Sequence, residues 1–118
     1  MSTEPGHTQR FIVEAREHLA GLSSGLIALE RGEGDSRAHY EQLLRCAHSI
    51  KGGAGLIGRG KIEQLSHGME TAFENMRDGR CSATPDAFDV LLSTLDRLSS
   101  LVDDLEHSDE ADISGQLD

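Results

Sequence analysis

The spacing of the apolar residues constrains this chain more than any other feature of its sequence. In four segments they recur at steps of three and four, which places them on one face of an α-helix. Strand-like alternation of apolar and polar residues is nearly absent. Ser36 and Thr84 are the predicted N-caps of the second and fourth helix, because their hydroxyls can accept a hydrogen bond from the first turn. The four predicted helices lie at roughly 8–31, 36–57, 61–79 and 84–107.

Short polar connections separate the four predicted helices, around the segments GEGD, GRG and GRCSA. A short connection makes the two helices that it joins run antiparallel. Each helix has one apolar stripe, and four such stripes cover one another in a bundle. The sequence therefore predicts an all-α fold, an up-down-up-down antiparallel four-helix bundle over residues 1–107, with residues 108–118 as an acidic tail or the start of a linker.

The charge balance narrows the classes of partner. The formal net charge is −10, and seven acids but no bases lie from residue 98 onward. An acidic chain without a basic stripe argues against nucleic acid as a partner. No apolar run is long enough to cross a bilayer and no signal peptide opens the chain, so we expect a cytoplasmic protein without direct membrane contact. Cys46 and Cys81 lack the spacing of a metal site, and a disulfide is not expected in the cytosol.

The stretch CAHSIKGGAGLIG places a histidine and three glycines in the second predicted helix. Each glycine costs a helix about 0.8–1.0 kcal/mol relative to alanine, so the three together require an explanation. On a helical wheel, His48 lies far from the apolar stripe, with Gly52, Gly55 and Lys51 beside it on the outer face. Gly53 lies on another side, where it can let a neighbouring helix pack closely. Two glycines are thus predicted to clear the surface beside one exposed imidazole.

The third predicted helix supplies residues opposite this face. If Arg59 marks the middle of the turn, antiparallel pairing sets Glu70 opposite His48 and His67 opposite Lys51. These four side chains are predicted to form one surface cluster. A carboxylate that accepts a hydrogen bond from Nδ1–H leaves Nε2 as a nucleophile, and a nearby ammonium stabilises an arriving phosphoryl group. Glu70 and Lys51 are the predicted holders of these two roles.

Three other interpretations compete with a histidine nucleophile. The segment GLIGRGKI has the glycine and lysine spacing of a phosphate-binding loop, but it has Ile62 at the hydroxyl position and follows a helix rather than a strand. A di-metal bundle needs inward Glu-x-x-His pairs, and the one such spacing, Glu4 to His7, precedes the first predicted helix. A helical interaction bundle without chemistry needs an exposed apolar stripe, for which Ile12 and Ile27 are modest candidates.

Three segments of the chain resemble one known family. AHSIKGGAG is similar to the phosphoacceptor motif of histidine phosphotransfer (HPt) domains, in particular those at the N-terminus of CheA-type chemotaxis kinases. FIVEAREHL resembles the opening helix of such domains and IEQLSHGMETAFENMRDG their third helix, and the resemblance covers roughly residues 8–107. It implies that His48 is phosphorylated on Nε2. Glu70 would be its hydrogen-bonding partner, with Lys51 and His67 completing the site.

The same resemblance implies a role in two-component signalling. His48 would accept a phosphoryl group from the catalytic domain of a CheA-type kinase, in the same chain or another, and pass it to an aspartate of a CheY-type response regulator. The regulator would dock over the first two helices, where Gly52, Gly55, Leu44 and Ile12 would give it access. No cofactor is implied for this domain, since the kinase domain supplies ATP and the regulator supplies Mg²⁺. A monomeric carrier that cannot itself draw phosphate from ATP is expected.

Overall fold

The computed structural model describes residues 5–117, and it describes side-chain surroundings for residues 6–106. Four α-helices and no strand occur in residues 5–117. The predicted all-α fold is therefore confirmed. The helices are α1 (Pro5–Glu30), α2 (Ser36–Leu56), α3 (Gly60–Arg77) and α4 (Pro85–Leu117).

The four helices are arranged as the corners of a square. Within the described chain, α1 packs against α2 and α4, and α3 packs against the same two helices. The diagonal pairs of described helices, α1 with α3 and α2 with α4, do not pack together. Consecutive helices run antiparallel because the connections between them are short. This arrangement is the up-down-up-down bundle that the sequence predicts.

The core is a mostly aliphatic column along the bundle axis, to which each helix contributes its apolar stripe. Leu22, Leu43, Phe73 and Leu98, one from each helix, are each 0% exposed. Burial of one such side chain contributes roughly 1.5–3 kcal/mol to folding. The core is built from the inner faces of the helices, and the outer face of α2 takes no part in it.

Glycines bring α1 and α2 close together. A Cβ on Gly53 of α2 would stand 2.8 Å from Cδ1 of Phe11, and a Cβ on Gly21 of α1 would stand 2.7 Å from Sγ of Cys46. Both distances are too short for real carbon contacts, so neither position has room for a larger residue unless its neighbour moves. The prediction that Gly53 permits close helix packing is confirmed.

The helix caps agree with the sequence at one end and differ at another. Thr84 caps α4 as predicted, since its Oγ1 accepts a hydrogen bond from the Ala87 N–H at 3.2 Å. The predicted cap of α2, Ser36, is wrong. Asp35 holds that position instead, and its Oδ1 accepts a hydrogen bond from the Arg37 N–H at 3.0 Å. Asp and Ser are comparably strong caps, so two adjacent candidates differ only in where the helical backbone begins.

Two other helix ends lie outside the predicted bounds. α1 begins at Pro5, before residue 8, and α4 continues to Leu117, past residue 107. The helical backbone therefore reaches into the acidic segment 108–118. The interpretation of that segment as a tail or linker stays a prediction, since its side chains lie outside those described.

Candidate functional site

His48 and Glu70 meet across the seam between α2 and α3. Nδ1 of His48 lies 2.9 Å from Oε2 of Glu70. The His48 side chain is 68% exposed, whereas that of Glu70 is only 15% exposed. The structure thus brings together the pair that counting from Arg59 predicts, with the imidazole on the outer face of α2.

Lys51 binds the second oxygen of the same carboxylate. Its Nζ donates a hydrogen bond to Oε1 of Glu70 at 2.6 Å. Burial raises the pKa of Glu70, but hydrogen bonds from Lys51 and His48 and the lysine charge outweigh burial and hold that pKa below its ordinary value. Glu70 is therefore ionised at neutral pH.

The ionised carboxylate determines the state of the imidazole. An ionised carboxylate can only accept hydrogen bonds, so Nδ1 of His48 must carry the hydrogen that joins it to Glu70. In the neutral imidazole, Nε2 then holds the free lone pair. That nitrogen belongs to an exposed side chain and is available as a nucleophile. A carboxylate at this position can stabilise the positive charge that would develop on the ring if Nε2 formed a new bond.

His67 lies on α3 one turn before Glu70, and it is exposed. It makes no hydrogen bond or ion pair with any side chain among residues 6–106. The structure therefore joins three of the four predicted cluster residues into one network and leaves His67 beside it. A role for His67 in completing the site stays a prediction.

The two glycines predicted to clear the surface differ from each other. A Cβ on Gly52 would meet nothing within 4 Å, so the surface beside His48 is open at that position. A Cβ on Gly55 would stand 2.9 Å from Oε2 of Glu63. The space above Gly55 is therefore already filled by a side chain of α3, a neighbour that the sequence analysis did not identify.

The apolar residues predicted to lie on the access surface are less exposed than expected. Ile12 is 2% exposed, so its predicted place on an exposed surface is wrong. It lies at helical spacing from Ala15 and belongs to the core stripe of α1. Leu44 is partly buried and packs against the core. Leu56, which the sequence analysis did not select, is 87% exposed. Its position on the wheel, nearly opposite the apolar stripe of α2, was the signal for it.

The competing sites find little support in the structure. The segment GLIGRGKI runs from α2 through a turn into α3, which is not the strand, loop and helix of a phosphate-binding loop. Among the described residues, no three His, Cys, Asp or Glu side chains are placed to hold a metal ion. Glu4 of the Glu-x-x-His spacing lies outside the described residues. None of the described helices is long and apolar enough to span a membrane.

Comparison with known proteins agrees with the interpretation of the His48–Glu70 pair as a phosphotransfer site. A model of the Hpt domain family matches residues 8–107. The chemotaxis protein CheA of Listeria monocytogenes is 31% identical over 106 residues, which cover 88% of this chain and 17% of that protein. CheA of Salmonella typhimurium is 33% identical over 104 residues, with 88% of this chain and 15% of that protein covered. The sensor histidine kinase CheAY of Helicobacter pylori is 32% identical over 92 residues, or 78% of this chain and 11% of that protein.

The chain spans about a sixth of the length of the CheA proteins that it matches. The matched region begins in the first turns of α1 and ends in α4, and it contains His48, Lys51 and Glu70. Since the family match covers residues 8–107, well over half of the chain, this chain belongs to the Hpt domain family.

Proposed function

We propose that His48 is the phosphoacceptor of this domain and that Nε2 is the atom that carries the phosphoryl group. As an Hpt domain related to CheA, the protein is a phosphorelay carrier in chemotaxis two-component signalling. The observation that supports His48 most directly is its 2.9 Å contact with Glu70, which fixes the hydrogen on Nδ1 and leaves Nε2 exposed.

The two halves of the relay follow from this arrangement. In the first, the Nε2 lone pair attacks the γ-phosphorus of ATP held by a kinase domain, a P–N bond forms, and ADP leaves with the bridging oxygen. Glu70 stabilises the imidazolium that results, because its negative carboxylate contacts the Nδ1–H of the positively charged ring. In the second, an aspartate oxygen of a response regulator attacks phosphorus, the P–N bond breaks, and His48 returns to its neutral form. Lys51 places a positive charge near both transfers.

The partners proposed for these steps are a CheA-type kinase domain, in the same chain or another, and a CheY-type response regulator, all in the cytoplasm. The kinase domain brings ATP, and the regulator brings Mg²⁺ to its own aspartate. The regulator docks over α1 and α2, where Gly52 leaves the approach to His48 open. The domain acts as a monomer, since each transfer needs only one bundle.

A phosphotransfer assay tests this proposal. Wild type, His48→Gln and His67→Gln are incubated with a CheA-type kinase domain, Mg²⁺ and radiolabelled ATP, and a response regulator is then added. We expect acid-labile label on wild type and on His67→Gln, none on His48→Gln, and loss of the label when the regulator arrives. Label on His48→Gln would show that another residue accepts the phosphoryl group. An unlabelled wild type, with a kinase active on another Hpt domain, would favour a helical interaction bundle without phosphotransfer.

A further inference from the structure

A second carboxylate of α3 reaches α2 on the same seam as Glu70. Oε2 of Glu63 lies 2.9 Å from the place where a Cβ of Gly55 would stand. Gly55 follows His48 by seven residues, and Glu63 precedes Glu70 by seven. Seven residues are nearly two full helical turns, so this second contact repeats the first about 10 Å farther along both helices.

The two carboxylates differ in what they bind. Both oxygens of Glu70 accept hydrogen bonds from α2. Glu63 is exposed, and within residues 6–106 its side chain makes no hydrogen bond or ion pair. It lies in the first turn of α3, where the positive end of that helix dipole favours a carboxylate, and against the last turns of α2, which offer it no basic side chain. The seam thus carries one paired and one unpaired carboxylate.

The surface around Glu63 is open and partly apolar. Gly52 lies between the two carboxylates and leaves open space within 4 Å of its missing Cβ. Leu56, next to Gly55, exposes 87% of its surface. Along α2 the surface therefore presents, in order, His48, the open space at Gly52, the Glu63 carboxylate that reaches over from α3, and the exposed Leu56 side chain.

We propose that Glu63, which reaches over α2 from α3, is a specificity-determining residue that pairs with a Lys or Arg side chain at the edge of a response regulator docked over α1 and α2. This inference rests on the proposed function. A regulator presents an acceptor aspartate to a chain of net charge −10, so its approach is opposed by charge. A basic side chain that meets the unpaired carboxylate offsets that repulsion and fixes the register of docking. Because Gly55 has no Cβ, the carboxylate can lie over α2, where a side chain of the regulator can reach it.

The test isolates the second half of the relay. Wild type, Glu63→Gln and Glu63→Lys are brought to the same phosphorylated fraction, and transfer to a CheY-type regulator is followed by rapid quench. Asp96→Asn and Asp96→Lys make the same charge changes at an exposed site on α4, diagonally opposite α2. We expect Glu63→Gln to lower kcat/KM about two- to fivefold at low salt, which is the size of an exposed ion pair, and Glu63→Lys to lower it further. The loss should lie in KM and vanish near 1 M salt, because salt screens exposed charges.

Gly55→Ala gives an independent variant. Its Cβ pushes the Glu63 carboxylate aside without removing the charge. Because alanine favours helix more than glycine does, a change in transfer by this variant is not explained by unfolding. A raised KM for this variant as well supports the pairing.

Three results would overturn the proposal. The first is an equal kcat/KM for transfer to the regulator in the Glu63 variants and the Asp96 variants. The second is a defect confined to phosphorylation by the kinase domain, which would assign Glu63 to that partner instead. The third is a wild type that takes up no label at all, which removes the proposed function together with this inference. A wild type that relays normally while Glu63 variants match it removes the inference alone.

Discussion

On the side of α2 that faces α1, Gly53 lies against the ring of Phe11, whereas on the outer side nothing stands within 4 Å of the missing Cβ of Gly52. Each glycine costs the helix about 0.8–1.0 kcal/mol relative to alanine. At Gly53 the cost is offset within the domain, because α1 packs closer. At Gly52 nothing within the described chain offsets it. The proposed access of a response regulator to His48 would account for a glycine at this position.

The polar and apolar side chains of α2 divide in the same way. Leu43 is 0% exposed and serves the core, whereas His48 is 68% exposed and serves no packing. One side of α2 therefore packs into the core, and the other carries the proposed phosphoacceptor. Substitutions on the two sides should separate cleanly into changes of unfolding free energy and changes of transfer rate.

The largest separation is expected at Glu70. Glu70→Ala removes hydrogen bonds to two nitrogens that carry charge during the reaction, and such bonds contribute roughly 1.5–3 kcal/mol. Phosphorylation of His48 should therefore slow by about tenfold to a hundredfold, measured as the initial rate of labelling by a kinase domain. Glu70→Gln keeps an oxygen acceptor without the charge and should lose less. A wild-type rate for Glu70→Ala would mean that the carboxylate does not orient His48.

The inner side is tested at Gly53. Gly53→Val adds a branched side chain whose Cβ starts 2.8 Å from Phe11, and overpacking of this kind costs about 1–3 kcal/mol. Urea unfolding should show that loss, while molecules that remain folded still accept label on His48. The matched control is Gly52→Val, which places the same side chain in open space. Equal losses at the two positions would contradict the division between the sides.

Two substitutions at Gly52 test the outer side of α2. Gly52→Ala and Gly52→Gln should each raise the free energy of unfolding by somewhat less than about 1 kcal/mol, because both residues favour helix more than glycine does. Only the glutamine is large enough to cover the approach to His48. Gly52→Gln should slow transfer to a response regulator severalfold in a quench-flow assay, and Gly52→Ala should slow it little. Undiminished transfer to the regulator by Gly52→Gln would remove the access argument.

The parts of the site that the sequence predicts are those set by helix periodicity and by a short turn. His48 and Glu70 pair because two antiparallel helices joined by a tight turn around Arg59 have almost no freedom in register. The wheel places His48 outside for the same reason that it places Leu43 inside. Both arguments need only the backbone.

The errors occur where the outcome depends on a neighbouring side chain. Gly55 and Gly52 look alike in the sequence, but Glu63 fills the space above Gly55 alone. Ile12 borders the stripe of α1, and only the position of the other helices decides that it is 2% exposed. At the start of α2, Asp35 and Ser36 are adjacent residues of similar capping strength, so the pattern does not choose between them.

The smallest expected effect is a change of stability with pH. It tests whether the outer face of α2 contributes to the free energy of unfolding. Burial raises the pKa of Glu70, but Lys51 and His48 hold it below its unfolded value, which is about 4.3. The ionised carboxylate therefore stabilises the bundle fully above that pH, and its contribution is lost as the pH falls through the lower pKa of the folded state.

A double substitution isolates that contribution. In a His48→Gln background, which removes titration of the imidazole, the remaining partner of Glu70 is Lys51. The difference in unfolding free energy between this variant and its Glu70→Gln derivative should be constant from about pH 7 to pH 5.5 and shrink below about pH 4. Glu74→Gln, on an exposed position of α3, controls for the loss of one negative charge. A difference that does not change with pH would mean that the Lys51–Glu70 contact positions His48 without stabilising the fold, and the two sides of α2 would then be fully separate in function.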